Sequence, residues 1–242
     1  DHHRGRPKFT TVLRKFLKEC PNHFDALHHY AMCKLDEDRR LDAFAFAHAA
    51  VAIARSAFPR DFVPGRDLLS GGWVQNRPFL RALHGLMLVQ EAIYDRPAAI
   101  VTARELLAFD PEDRMGARLS LPGFLLAEDR NAEALAIFDT PGLENTFRTV
   151  DYLQALALLR LGREAKAKDK LQDCLSNYPQ VARFILKPSI EPPEDGSGGW
   201  GIASGSPYEG WYFGTQFTSL WNTPECAKPM LRKMAAPIAA AG

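Results

Sequence analysis

The sequence lacks the features that mark membrane-spanning, nucleic-acid-binding and most catalytic proteins. Its 30 Lys and Arg residues are balanced by 29 Asp and Glu residues, so it has no basic excess of the kind that nucleic-acid-binding domains carry. No apolar run reaches about 18 residues, which predicts that no segment spans a membrane. A P-loop, a GxSxG nucleophile elbow and an HExxH metal motif are all missing. These absences favour a non-enzymatic protein.

Cysteine is scarce in the chain. The four cysteines, Cys20, Cys33, Cys174 and Cys226, are widely spaced in a sequence of 242 residues. A chain of this size can bury a hydrophobic core without disulfides. The pattern therefore predicts reduced, mostly buried thiols in a reducing compartment.

Two motifs suggest a bound metal or nucleotide but lack the structural context that such sites need. Cys20, His23, His28 and Cys33 have the spacing of a zinc knuckle, but they fall largely within one predicted helix. Residues five positions apart on a helix point in different directions and cannot converge on one metal ion. The glycines of 196–201 match the dinucleotide-binding fingerprint, yet an acidic, proline-rich loop precedes them instead of a strand. The sequence therefore predicts no metal and no cofactor.

Strand signals are also scarce, and helical spacing dominates. Val and Ile are few and do not alternate with polar residues. The apolar residues of 79–87 and 97–109 recur at steps of three and four, which is typical of one buried helix face. Asp110-Pro111 ends the second segment, because proline removes a hydrogen-bond donor and clashes with a continuing helix. The chain is predicted to be all-α.

Several windows of the sequence resemble one another. Windows that begin at Leu80 and Arg148 lie 68 residues apart, a third begins between them at Met115, and an earlier one begins at Phe24. Each places small residues where two helices would cross closely. The recurring small residues are Ala31, Ala43, Ala50, Ala99, Ala103, Ala134, Ala155 and Ala167.

This pattern resembles the tetratricopeptide-repeat (TPR) family, whose unit is a helix–turn–helix of about 34 residues. The resemblance covers about residues 22–180. It implies a right-handed superhelical array of antiparallel helix pairs, a TPR-like solenoid, with Gly162 as a left-handed cap between two helices. Residues 76–85 (NRPFLRALHG) and 110–118 (DPEDRMGAR) are similar to TPR-containing proteins of bacteria and algae.

Two irregular segments interrupt the predicted array. Residues 59–77 form an insertion rich in Gly and Pro, and residues 187–210 form a longer Pro/Gly linker. The predicted domains are TPR-like helical repeats over 1–186, the linker, and capping helices with a tail over 211–242. Irregular segments of this length are often functional, so we expect the particular function of this protein to lie there.

The resemblance implies a non-catalytic scaffold that binds a partner peptide or helix in a TPR groove. The groove positions of the family correspond here to Arg81, His84, Leu88, Glu91, Tyr152, Leu156 and Arg160. Trp211 and Trp221 join this set of predicted protein-binding residues, because Trp is enriched in interface hot spots. The aromatic residues around them also fit a helix that packs over the last repeat.

An alternative function is a structural accessory subunit of a large multiprotein complex, whose neighbours would order the two irregular segments. The expected partners are other proteins, with no nucleic acid, and the oligomeric state is left open. The expected location is intracellular and cytoplasmic by default. An organelle is the alternative location if a transit peptide has been removed upstream of Asp1.

Overall fold

The computed structural model describes residues 6–140, 150–193 and 205–239. These residues form α-helices and two short 3₁₀ helices, Val74–Asn76 and Thr218–Asn222, with no β-strand. The α-helices are α1 (Arg6–Glu19), α2 (Phe24–Asp36), α3 (Arg40–Ser56), α4 (Arg77–Ala92), α5 (Arg96–Phe109), α6 (Ala117–Ala127), α7 (Asn131–Phe138), α8 (Asp151–Arg160), α9 (Glu164–Asn177), α10 (Pro179–Leu186), α11 (Pro207–Phe217) and α12 (Ala227–Ala239). The expected all-α class is confirmed for the described residues.

The chain divides into two compact units, unit 1 (residues 1–124) and unit 2 (residues 125–242), with the boundary inside α6. In unit 1, α2 packs against α1, α3 and α4, and α4 packs against α5. In unit 2, α8 packs against α7 and α9, and α10 packs against α9, α11 and α12. Helices that are adjacent in sequence pack in pairs, which is consistent with a helical repeat array. The superhelical hand, the capping role of the last helices and the domain boundaries stay predictions.

A left-handed residue stands in each of four turns between helices that are consecutive in the chain. Asp38, Tyr94, Asp129 and Gly162 have φ angles of 56°, 65°, 54° and 72°. The predicted left-handed cap at Gly162 is therefore confirmed, and glycine reaches this conformation at low cost. The last three of these turns follow one another at intervals of 35 and 33 residues, so the turn geometry repeats with the sequence pattern.

The recurring alanines lie in the interiors of the two units. Each is at most 1% exposed, which confirms that small residues occupy the places where helices meet. Gly210 on α11 extends this pattern. A Cβ atom at Gly210 would lie 2.7 Å from the backbone carbonyl carbon of Gln180 on α10, so only glycine permits this close approach.

Helix α11 begins inside the predicted linker. The Ser206 hydroxyl oxygen accepts a hydrogen bond from the backbone N–H of Glu209 at 3.1 Å, and Pro207 occupies the first turn. The Glu209 carboxylate in turn accepts from the backbone N–H of Gly205 at 2.6 Å. This reciprocal capping starts the helix at Pro207. Residues 207–210 of the segment predicted as a linker therefore lie in α11, while the domain boundaries stay predictions.

The cysteines and the helix lengths test two further expectations. All four cysteines are free, and of these Cys174 is buried while Cys20 and Cys226 are exposed. The expectation of mostly buried thiols is therefore wrong for these two exposed positions. Among the helices that the structure describes, none is long and apolar enough to cross a bilayer.

Candidate functional site

Four of the predicted protein-binding residues lie on α4 in unit 1: Arg81, His84, Leu88 and Glu91. One terminal guanidinium nitrogen of Arg81 donates to both carboxylate oxygens of Asp25 on α2, at 3.1 and 3.2 Å. Glu91 accepts a hydrogen bond from Nε of Arg96 on α5 at 3.1 Å. The two charged positions therefore connect neighbouring helices within unit 1. Their contact with a partner stays a prediction.

A buried histidine lies beside this group. His28 on α2 is 7% exposed, and its Nδ1 has no hydrogen-bond partner among the described residues. Burial lowers the pKa of His28 to about 4, with further lowering by the charges of His29, Arg81 and His84, while the Asp25 carboxylate raises it. Burial also lowers the pKa of His84. Both imidazoles are therefore neutral in the folded protein near neutral pH.

Acidification is expected to destabilise unit 1 through His28. Because the pKa of His28 is about 4 in the folded state and 6.5 unfolded, the unfolded chain binds the proton more tightly. The contribution of neutral His28 to the free energy of unfolding is fully present above the unfolded pKa. It is lost as the pH falls through the folded pKa, and the total loss is about 3 kcal/mol. Urea unfolding measured across this window should show a shallower pH dependence for His28→Gln than for the natural chain.

The matched control is His48→Gln, because His48 is an exposed residue on α3. This variant should retain the full pH dependence of the free energy of unfolding. Equal slopes for the His28 and His48 variants would show that burial of His28 has no effect on acid stability.

Tyr152 and Leu156, on α8 in unit 2, are interior residues. Their exposed fractions are 1% and 0%. The Tyr152 hydroxyl donates a hydrogen bond to the backbone carbonyl of Tyr178 at 3.0 Å, which ties α8 to the end of α9. Burial raises the pKa of Tyr152, so the hydroxyl remains a donor. An interior side chain offers no surface to a partner, so these two positions serve packing in this conformation.

Arg160, at the end of α8, uses its guanidinium within unit 2. Its Nη atoms donate to the backbone carbonyls of Leu126, at 2.6 Å, and Leu220, at 2.7 Å, and its Nε donates to the carbonyl of Thr223 at 2.9 Å. The side chain is 7% exposed. Burial lowers the pKa of Arg160, and the charge of Asp129 opposes this effect. The residue joins three segments of the chain.

The two predicted tryptophans differ in environment. Trp211 on α11 is half-buried and donates its indole N–H to the carbonyl of Ser189 at 2.9 Å. Trp221 is 1% exposed and packs edge to face against Tyr152, with ring centroids 6.4 Å apart. Trp221 is therefore a packing residue of unit 2. A role of Trp211 in binding stays a prediction.

The insertion at 59–77 is attached to the helices on either side of it. The backbone N–H of Leu69 donates to the carbonyl of Phe109 at the end of α5, at 2.8 Å. Nε of Arg77, the first residue of α4, donates to the carbonyl of Gly71 at 2.9 Å. These bonds attach the turn at Gly71 to α4 and to the end of α5.

An aromatic cluster anchors the beginning of the same insertion. The Phe62 ring lies 5.8 Å from the ring of Phe109, and Phe58 lies 4.9 Å from Phe79, measured between centroids. Phe79 and Phe109 are themselves in edge-to-face contact at 5.2 Å. Such pairs add to the stabilisation from burial of the rings. The insertion is therefore a packed part of unit 1.

The same insertion presents four large apolar side chains to solvent, and Trp73 and Val74 are the most exposed of them. Trp73 is 67% exposed and Val74 is 68% exposed. Beside them in the chain, Leu69, Gln75 and Asn76 line a cavity of about 420 Å³, whose remaining walls are mostly apolar residues of α2, α3 and α4 and of the two positions that follow α3. Trp73, Val74 and this cavity together are called the insertion surface.

Reasoning from the sequence singled out the insertion but missed Trp73 and Val74. A signal was available, since the tryptophan follows two glycines, Gly71 and Gly72, in a segment rich in turn residues. Such a tryptophan belongs to no apolar helix face, so the sequence does not predict that it is buried in a helical core.

The residues of the zinc-knuckle and dinucleotide-binding motifs do not form such sites among the described residues. Nδ1 of His23 accepts the backbone N–H of Ala26 at 3.2 Å and so caps α2. Within residues 6–140, 150–193 and 205–239, no group of three or more His, Cys, Asp or Glu side chains is arranged to hold a metal. Glycines 196–201 lie outside the described residues. The expected absence of a cofactor stays a prediction.

A large part of the chain matches a known protein family. Residues 10–193 match the family model described as "Transcriptional repressor TCF25". No curated protein matches the chain. The expected membership of the TPR family is wrong, because the matching model is not that of a TPR family. Small residues at helix crossings and short turns are common to helical arrays, so they indicate the architecture without identifying the family.

Proposed function

The chain belongs to the Tcf25 family, and from this membership we propose that it acts as a non-catalytic, protein-binding element in transcriptional repression. The family is described as a transcriptional repressor, and its model covers 10–193 of the 242 residues. The chain has a net charge of only +1, which favours contacts with proteins over contacts with DNA. A role in transcription also makes the nucleus the proposed location, in place of the cytoplasm.

The observation that carries the proposal is the insertion surface of unit 1. Trp73 is 67% exposed although the backbone beside it is held by the Leu69 and Arg77 hydrogen bonds. Covering a large aromatic side chain removes apolar area from water, which stabilises a complex by about 25 cal/mol per Å². A rigid loop loses little conformational entropy on binding. Tryptophan in such a setting is the residue most often found at binding hot spots.

The cavity adds a place for one side chain of the partner. Its volume of about 420 Å³ lies within the range of small binding pockets, and apolar side chains such as Ile53 and Phe79 form its walls. The proposed partner is a segment of another protein that covers Trp73 and Val74 and inserts an apolar side chain here. This surface replaces the TPR groove as the proposed binding site.

The double variant Trp73→Ala/Val74→Ser is expected to lose partner binding. Removal of a hot-spot residue weakens a complex by about 2 kcal/mol or more, which corresponds to about thirtyfold in affinity. The measurement is affinity purification from nuclear extract with quantitative mass spectrometry of the recovered proteins. A distinct set of proteins should be recovered with the natural chain and be depleted with the variant.

The matched control is Leu41→Ser/Val101→Ser, which removes two other exposed apolar side chains of unit 1. Leu41 is 76% exposed and Val101 is 66% exposed. The control should recover the same proteins as the natural chain. If the two double variants recover the same proteins in equal amounts, the insertion surface does not bind them. Circular dichroism should show that both variants remain folded.

A further inference from the structure

Helix α1 differs in charge from the rest of the chain. Its sequence contains five basic residues and one acidic residue, Glu19, for a net charge of +4, whereas the whole chain carries +1. The other residues therefore carry a net charge of −3. Lys8, Arg14, Lys15 and Lys18 form no ion pair with any residue that the structure describes. These four side chains are thus a local concentration of positive charge.

The same helix exposes apolar side chains. Phe9, Val12 and Phe16 are 47%, 61% and 40% exposed, while Leu13 is the buried contact of α1. At about 100° per residue, these three side chains share one face of the helix with Lys8 and Lys15. Lys8, Phe9, Val12, Lys15 and Phe16 are called the α1 face.

Both aromatic rings of the α1 face are already partly covered by other side chains. Phe9 meets His29 edge to face with centroids 6.1 Å apart, and Phe16 meets His23 in the same way at 5.2 Å. Val12 has no such cover and is the most exposed apolar side chain of the helix. The face therefore presents a narrow apolar strip, centred on Val12, with two lysines along one edge.

We propose that the α1 face binds an acidic, amphipathic segment of another protein. Apolar side chains of that segment would cover Val12 and the open sides of Phe9 and Phe16, and its carboxylates would pair with Lys8 and Lys15. Charge complementarity of this kind steers the encounter and sets the register of the complex. The α1 face and the insertion surface consist of different residues and take partners of different chemistry, so this inference goes beyond the proposed function.

The apolar strip distinguishes this partner from other anionic surfaces. A nucleic acid would pair its phosphates with the lysines and leave Val12 uncovered, since phosphate contacts bring no apolar area. A lipid surface is bound by helices with a broad apolar face that inserts below the headgroups. Here Phe9 and Phe16 are partly occupied by histidine rings, which leaves too little apolar area for such insertion.

The first test uses a labelled synthetic helical peptide with glutamates on one face and leucines on the other, titrated with the whole chain and followed by fluorescence anisotropy. A peptide of the same composition in scrambled order is the reference and should bind at least about tenfold more weakly. The variant Val12→Asp/Lys15→Glu should lower the affinity for the ordered peptide by about tenfold or more. Equal affinity for the two peptides would overturn the proposal.

The control variant Val101→Asp/Lys166→Glu makes the same change in net charge at exposed positions outside α1. It should bind the ordered peptide with unchanged affinity. A loss equal to that of the α1 variant would show that only net charge matters.

Single-stranded RNA and vesicles containing phosphatidylserine are titrated in the same way. Tighter binding of either, lost with the α1 variant, would replace the proposed partner.

The second test does not depend on a variant that binds more weakly. A photoreactive benzoylphenylalanine is introduced at Val12 in cells, and the crosslinked peptides are sequenced. The proposal expects segments of another protein with a net negative charge and apolar residues at helical spacing. Crosslinks to a second copy of this chain, to its own upstream segment or to nucleic acid would contradict it. So would no crosslink at Val12.

Discussion

Replacing Trp221 by alanine is expected to lower the free energy of unfolding of unit 2 by about 3–5 kcal/mol. Trp221 is 1% exposed and is the largest fully buried side chain among the residues that the structure describes. Its ring packs edge to face against Tyr152, so the substitution removes that contact as well as the buried area. The cavity left behind is too large for the surrounding helices to fill without moving.

The comparison with Trp73→Ala isolates the effect of burial, because the residue types are the same and Trp73 is 67% exposed. Trp73→Ala should change the free energy of unfolding by less than about 1 kcal/mol. Amide hydrogen exchange in α8 is the measurement, since Tyr152 lies on that helix. Similar protection of α8 in the two variants would show that Trp221 is not a core residue.

The second large effect is expected from Arg160. Substitution by leucine should destabilise unit 2 by about 3 kcal/mol, because the carbonyls of Leu126, Leu220 and Thr223 lose their charged donors. The Leu126 and Leu220 carbonyls also accept the backbone N–H groups of Asp129 and Thr223, so the loss comes from the charge-assisted bonds themselves. Arg160→Lys should recover only part of the loss, because an ammonium group cannot reproduce the planar arrangement of guanidinium donors.

The control for this substitution is Arg232→Leu, which removes an exposed arginine of α12 in the same unit. Its effect on urea unfolding should be within about 0.5 kcal/mol. The order of stability should be natural chain, then Arg160→Lys, then Arg160→Leu. If Arg160→Leu is as stable as Arg232→Leu, the three carbonyl contacts contribute nothing to stability.

The architecture could be predicted from the sequence because it depends on local patterns. Helical periodicity, alanines at helix crossings and Gly162 in a turn all operate within about one helix pair, and the structure confirms each of them. Asp110-Pro111 likewise marks the end of α5 at Phe109. These signals need no knowledge of distant segments.

The site could not be predicted in the same way, because exposure depends on residues far away in the chain. Tyr152 and Arg160 match groove positions of a repeat, but Trp221 covers Tyr152, and Leu220 and Thr223 accept the Arg160 hydrogen bonds. Those partners lie 60 to 69 residues further along the chain. No single helix pair contains the information that these side chains are interior.

The family was missed for a related reason. Residues 76–85 and 110–118 lie in the range that matches the Tcf25 model, but on the sequence alone they resemble segments of TPR-containing proteins. The insertion at 59–77 was recognised as a departure from that pattern. Which of its side chains face solvent became clear only from the hydrogen bonds and aromatic contacts that hold it.

A tethered reporter assay tests whether this chain represses transcription by binding a protein at the insertion surface. The chain is fused to an unrelated DNA-binding domain and directed to a reporter promoter. The natural chain and Leu41→Ser/Val101→Ser should repress the reporter, and Trp73→Ala/Val74→Ser should lose most of that repression at equal protein level. Equal repression by both double variants, or none by the natural chain, would contradict the account.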